Sequence, residues 1–141
     1  MKFRFLLTIL VLITSQTVFS QDEQPRKIKK STEATENRLI KVSIMYPFEE
    51  GKTFDMEYYK TNHMPMVAGF LGANLVKYTI EKGIASGIPN SPLPFVAIGA
   101  FYVKDLGEYQ AAIRPKIDSI RADFPNYTTI RPVILISEVV K

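Results

Sequence analysis

An α+β fold of element order βαββαβ is predicted for this 141-residue sequence. Three observations carry it. Four stretches have the composition and period of strands, two stretches repeat apolar residues at helical spacing, and the third and fourth strands are apolar on both faces. The last point asks for something beyond two helices to cover the sheet.

The elements follow in chain order. Ile40, Val42, Ile44 and Tyr46 alternate with Lys41, Ser43 and Met45, the period-2 pattern of a strand that closes at Pro47. Glu49-Glu50-Gly51-Lys52 reads as a turn. Thr53 suits an N-cap, and Asp55 and Glu57 place negative charge in a first helical turn, so the first helix is expected to start near Phe54. Pro65 cannot donate to the carbonyl of Thr61 and disfavours helical geometry at Met64. The helix is therefore expected to end or kink beside His63, with Met66 to Leu71 as a further turn before Gly72.

Leu75 to Glu81 and Phe95 to Val103 read as the second and third strands, joined by a loop over residues 83–94 that is too rich in proline for either regular element. A loop of that length is a candidate lid or dimer arm, with plain hairpin decoration as the alternative. Asp105 and Glu108 form a capping-box-like pair at the start of the second helix. Leu106, Tyr109, Ile113, Ile117, Ile120 and Phe124 then recur at spacings of three and four, a stripe expected to face the sheet. Pro115 interrupts that stripe and predicts a kink or two consecutive helical pieces. After a Pro125-Asn126 turn, Pro132 to Val140 supply the fourth strand. This order is the ferredoxin-like split arrangement, a four-stranded antiparallel sheet with both helices on one face.

An antiparallel sheet with a wetted face alternates apolar and polar residues, but here Val96, Ile98, Ala100 and Tyr102 oppose Phe95, Ala97, Gly99, Phe101 and Val103. The uncovered face is expected to pack on the same face of a second copy, giving an isologous homodimer. A cavity between sheet and helices is the other place for those side chains.

Before the domain, Lys2 and Arg4 precede a short apolar run, and Val18-Phe19-Ser20 ends in small-residue positions, the pattern of a secretory signal peptide cleaved after Ser20. Residues 21–38 carry mixed charge and one strongly apolar residue and read as a polar tether, leaving residues 39–141 as the folded domain. Export to the periplasm or medium is expected, with no stable membrane insertion after cleavage. Without residues 1–20 the chain keeps 16 basic against 14 acidic residues, and no basic stripe with interleaved aromatics points to nucleic acid. The absence of cysteine removes disulfides, thiolate nucleophiles and thiolate metal sites from consideration.

From strand one to the C-terminus the sequence resembles the EthD family of the dimeric α+β barrel superfamily. The resemblance lies in Lys41-Val42-Ser43-Ile44-Met45-Tyr46-Pro47, Phe54-Asp55-Met56-Glu57-Tyr58-Tyr59, His63-Met64-Pro65-Met66, Pro94-Phe95-Val96-Ala97-Ile98-Gly99 and Phe124-Pro125-Asn126-Tyr127-Thr128. It implies a barrel dimer with a small apolar cavity between helix and sheet in each subunit. An oxidoreductase label is attached to such proteins without a described mechanism. The leader and tether depart from the usual form.

His63 is the one histidine of the chain and the natural candidate for proton chemistry near neutral pH. Helical spacing places Asp55, Tyr59 and His63 on one stripe at i, i+4 and i+8, with Tyr58 and Asn62 as a neighbouring pair. On this reading His63 acts as general base or hydrogen-bond donor, Tyr59 or Tyr46 polarises the ligand, and Tyr58, Asn62 and Asp55 bind it. The opposing reading makes His63 a helix cap for carbonyls at the end of the first helix. No dinucleotide fingerprint or P-loop occurs, and one histidine with carboxylates is a poor zinc set, so no metal is expected; haem held by His63 stays chemically open. Asn126-Tyr127-Thr128 matches a glycosylation pattern but suits a turn equally well. Two classes of function remain: a cavity enzyme doing oxidoreductase-like or proton-transfer chemistry on a small apolar or aromatic compound, and a non-catalytic dimer that binds such a compound.

Overall fold

The computed structural model describes residues 38–140; the leader, its cleavage site and nearly all of the tether lie outside the described residues. Strands β1 (Leu39–Pro47), β2 (Leu75–Lys82), β3 (Phe95–Val103) and β4 (Val133–Val139) form one antiparallel sheet in the order β2-β3-β1-β4. β1 and β3 are therefore central. Their period-2 patterns fix the register, which sets Val42, Ile44 and Tyr46 opposite Phe101, Gly99 and Ala97 on the face that carries the helices. This is the split arrangement the sequence predicts.

The first helical segment corrects the expected cap, and the irregularity expected beside His63 takes the form of a widened turn. Asp55, rather than Thr53, is the N-cap, its carboxylate accepting from the amides of Glu57 and Tyr58 at 3.0 Å each. Thr53 instead pairs with the segment entering β4, where its amide donates to Thr129 Oγ1 and its carbonyl accepts from Thr128 Oγ1. Helix α1 (Met56–Tyr58) then widens into a π turn (Tyr59–His63) and runs on as α2 (Met64–Leu71), so the chain does not stop at His63. The cause is Pro65, which lacks a donor for Thr61 and whose ring crowds that carbonyl; the amide of Met64 bonds back five residues to Tyr59. Gly72, at φ +50, ends the helix.

Pro115 acts as expected, separating α3 (Leu106–Ile113) from α4 (Ile117–Ala122) by a 3₁₀ turn. Asp105 caps α3 through the amide of Glu108, and buried Asn74 holds that corner by accepting from the amides of Lys104 and Asp105. The aromatic and aliphatic core gathers between helices and sheet around Tyr46, Tyr59, Met64, Phe101 and Tyr127, all at most 3% exposed. The helices among the described residues leave β4 bare. Val133, Ile134, Leu135 and Ile136 are 53%, 59%, 52% and 42% exposed, so both faces of this edge strand meet solvent in the single chain. No helix among the described residues is long and apolar enough to cross a membrane.

Candidate functional site

A cavity of about 630 Å³ lies between the helical layer and the sheet, within the size range of small-molecule sites. Its walls are apolar: Ile44, Phe101 and Ile134 from the sheet, Met64 and Val67 from α2, and Ile113, Ile117, Ile120 and Phe124 from the second helical arm. All but Leu106 of the helical stripe read from the sequence lines it. Tyr46, Tyr59, His63 and Tyr109 interrupt the apolar wall, and the exposed residues Arg121, Arg131 and Ile134 also line it. The loop over residues 83–94 contributes no wall, so it is not a lid over this cavity.

One end of the cavity is built from a chain of polar side chains. His63 Nδ1 lies 2.8 Å from Asp123 Oδ2, and its Nε2 lies 3.3 Å from the hydroxyl of Tyr127. The Tyr127 hydroxyl is 2.8 Å from that of Tyr46, which is hydrogen-bonded in turn to Tyr59. Asp123 Oδ1 also accepts from Tyr58 Oη and Asn126 Nδ2, each at 2.8 Å. The ring of His63 is stacked on Tyr59 at 5.6 Å and 17°. The π turn sets this pair, since a wider turn rotates His63 toward the second arm instead of leaving it one regular turn above Tyr59.

Protonation follows from burial and partners. Burial lowers the His63 pKa below 6.5, against the opposing pull of the Asp123 carboxylate, so the imidazole is neutral at pH 7. Burial alone would raise Asp123, but hydrogen bonds from Asn126, His63 and Tyr58 outweigh it and hold the carboxyl below its usual range. An ionised Asp123 requires a proton on His63 Nδ1, which leaves Nε2 bare to accept from Tyr127. Tyr127 has one proton, so its oxygen accepts from Tyr46, and Tyr46 accepts from Tyr59. Every donor thus points toward Asp123. Burial pushes all three phenols far above their ordinary range, so they remain protonated.

The sequence-predicted residues divide. His63, Tyr59 and Tyr46 meet at the cavity wall, as expected, but the straight stripe through Asp55 does not form. Asp55 is occupied as the helix cap and lies outside the cavity; Asn62 is exposed and accepts from Thr61 Oγ1. Tyr58 stands behind the wall, holding Asp123. His63 is no helix cap, because the helix continues through it and both ring nitrogens have side-chain partners. Haem iron could reach Nε2 only by displacing the Tyr127 hydroxyl. Asp123 and Tyr127 were missed. They belong to the turn before β4, 60 and 64 residues from His63, a distance no local spacing reveals. The pairing of Phe54 with Thr128 and the bond from the Asp55 amide to the Tyr127 carbonyl bring that turn to the helix start. Asn126 serves the turn as well, through Asp123 and Tyr58.

Fold and site together define an α+β domain of ferredoxin-like topology whose apolar cavity ends in a histidine-tyrosine chain. Residues 51–130 match the EthD domain profile, and the chain belongs to the EthD family. It is similar to an EthD-like protein from Ralstonia eutropha JMP134, with 44% identity over 74% of this chain and 95% of the other, at a TM-score of 0.70. A protein of the ethyl tert-butyl ether D family from Bacillus halodurans C-125 shares the fold at 19% identity and a TM-score of 0.55, covering 72% of this chain and 99% of the other. No curated protein matches significantly.

Proposed function

We propose that this protein is an exported homodimeric cavity enzyme that moves a proton on a small apolar compound carrying a carbonyl group. The observation that carries the reading is the continuous chain from Asp123 through His63, Tyr127 and Tyr46 to Tyr59 at the wall of an otherwise apolar cavity. A neutral imidazole with its bare nitrogen fixed by a carboxylate is a general base suited to neutral pH. Tyr59, at the head of the chain, has the proton that a ligand carbonyl can recruit. When the C–H bond beside that carbonyl breaks, its electrons move to the carbonyl oxygen held by Tyr59. The proton goes to His63 Nε2, which Tyr127 releases by turning its hydroxyl, and Asp123 stabilises the imidazolium. Return of the proton to another atom of the ligand completes an isomerisation.

The homodimer is supported by the bare apolar strand β4, whose Val133 and Leu135 on the helix-free face are half exposed in the single chain. Export is supported by the pattern of residues 1–20. The test of the chemistry is solvent exchange. A panel of apolar ketones, including 1-tetralone and acetophenone, is incubated with the protein in D₂O and followed by mass spectrometry. Deuterium uptake beside the carbonyl above the buffer rate, lost in His63→Asn and reduced in Tyr59→Phe, is expected. Ketones that bind without any enhanced exchange would make this a binding protein instead.

A further inference from the structure

The cavity has two charged residues, and both are arginines: Arg121 on α4 and Arg131 just before β4. No acidic side chain lines the cavity, and neither arginine takes part in an ion pair among the described residues. Two guanidinium groups lining one apolar cavity make it a positive site, and an anion bound there is attracted to both. Their position along the cavity is also defined. Val133 stands opposite Met45, so the segment entering β4 with Arg131 arrives at the Tyr46 end of β1, and Arg121 precedes Asp123 by two residues. Arg131 therefore sits at the end that holds the histidine-tyrosine chain, Arg121 lines the same cavity from α4, and the apolar body of a ligand extends away from Arg131 along Val67, Phe101 and Ile113.

Building on the proton-transfer reading, we infer that the ligand is an amphipathic carboxylate: an apolar body in the cavity and a carboxylate held by Arg121 and Arg131 near the carbon that reacts. The planar guanidinium fork matches a carboxylate with two parallel hydrogen bonds.

The test uses a matched pair of probes, biphenyl-4-carboxylate and biphenyl-4-carboxamide, titrated calorimetrically into the wild-type protein and into Arg121→Gln/Arg131→Gln. Both arginines are exposed, so the double variant keeps the fold, which circular dichroism checks. The wild type should bind the carboxylate at least tenfold more tightly than the amide, with the preference weakening as salt rises. The double variant should bind the two alike, with affinity for the amide unchanged. Equal affinities in the wild type, or a preference that survives the double substitution, would overturn the carboxylate assignment while leaving the cavity and its proton chemistry standing. Failure of both probes to bind would overturn the cavity reading itself.

Discussion

Replacing Asp123 by Asn removes the group that orients His63 while barely changing shape. The carboxylate accepts from His63 Nδ1 at 2.8 Å, with side-chain exposures of 6% for the histidine and 14% for the aspartate. A hydrogen bond to a charged acceptor contributes about 1.5–3 kcal/mol. An asparagine that presents its amide to Nδ1–H leaves two donors facing each other, so the variant should lose about 2 kcal/mol or force the ring into the other tautomer. For a domain of this size that is a fall in melting temperature of roughly 8–16 °C. Acidity separates this from a packing defect. The His63 pKa is lowered in the fold, so the unfolded chain takes up a proton below pH 6.5 that the folded chain refuses, and wild-type stability falls as pH drops from 6.5. Asp123 is also lowered, so its stabilisation, present above pH 3.8, is lost as pH falls further through its folded value. Asp123→Asn should abolish that second, more acidic loss and extend the first, because the carboxylate was the influence raising His63. Chemical denaturation between pH 3 and 8 reads both. A variant that parallels the wild type at every pH would refute the coupling.

Gly99→Ala drives a methyl group into the Tyr59 hydroxyl and against Met64 Sδ. It should cost about 1–3 kcal/mol as overpacking, and the double variant with Tyr59→Phe should cost less than the two changes summed, which a denaturation cycle measures. Asp55→Ala should lose about 1 kcal/mol through its missing cap and leave the affinity for the biphenyl probes unchanged; loss of binding would return Asp55 to the ligand site. Leu135→Glu, on the helix-free face of the bare strand, should turn a dimer into a monomer by light scattering, and a wild type that is monomeric across micromolar concentrations would contradict the proposed assembly.

The strands and the helical stripe were legible because each encodes its partner in its own period: Tyr46 must point inward if Val42 does, and Ile113, Ile117 and Ile120 share one face. Pro65 signalled an irregularity, but whether a helix stops or widens there depends on whether the following turn has a core to enter, and Met64, Val67 and Leu71 do. The site was legible only on one side. His63, Tyr59 and Tyr46 announce themselves as polar groups on apolar elements, whereas Asp123 and Tyr127 look like ordinary turn residues. A buried histidine needs a partner, however, and the start of β4 is where strand β1 brings the chain back to the helix. Gly99 gave no sign of its role either, since its value lies in the space it leaves for the Tyr59 hydroxyl.

The state of the His63 ring tests the central claim most directly, and with one histidine in the sequence its signals are unambiguous. Long-range ¹H–¹⁵N spectra of the uniformly labelled protein at pH 7 should give a neutral ring protonated at Nδ1 with a bare Nε2, and a titration midpoint below 6.5. An imidazolium at pH 7, or a proton on Nε2, would mean that the chain from Tyr59 to Asp123 does not run as described and that His63 is not the base.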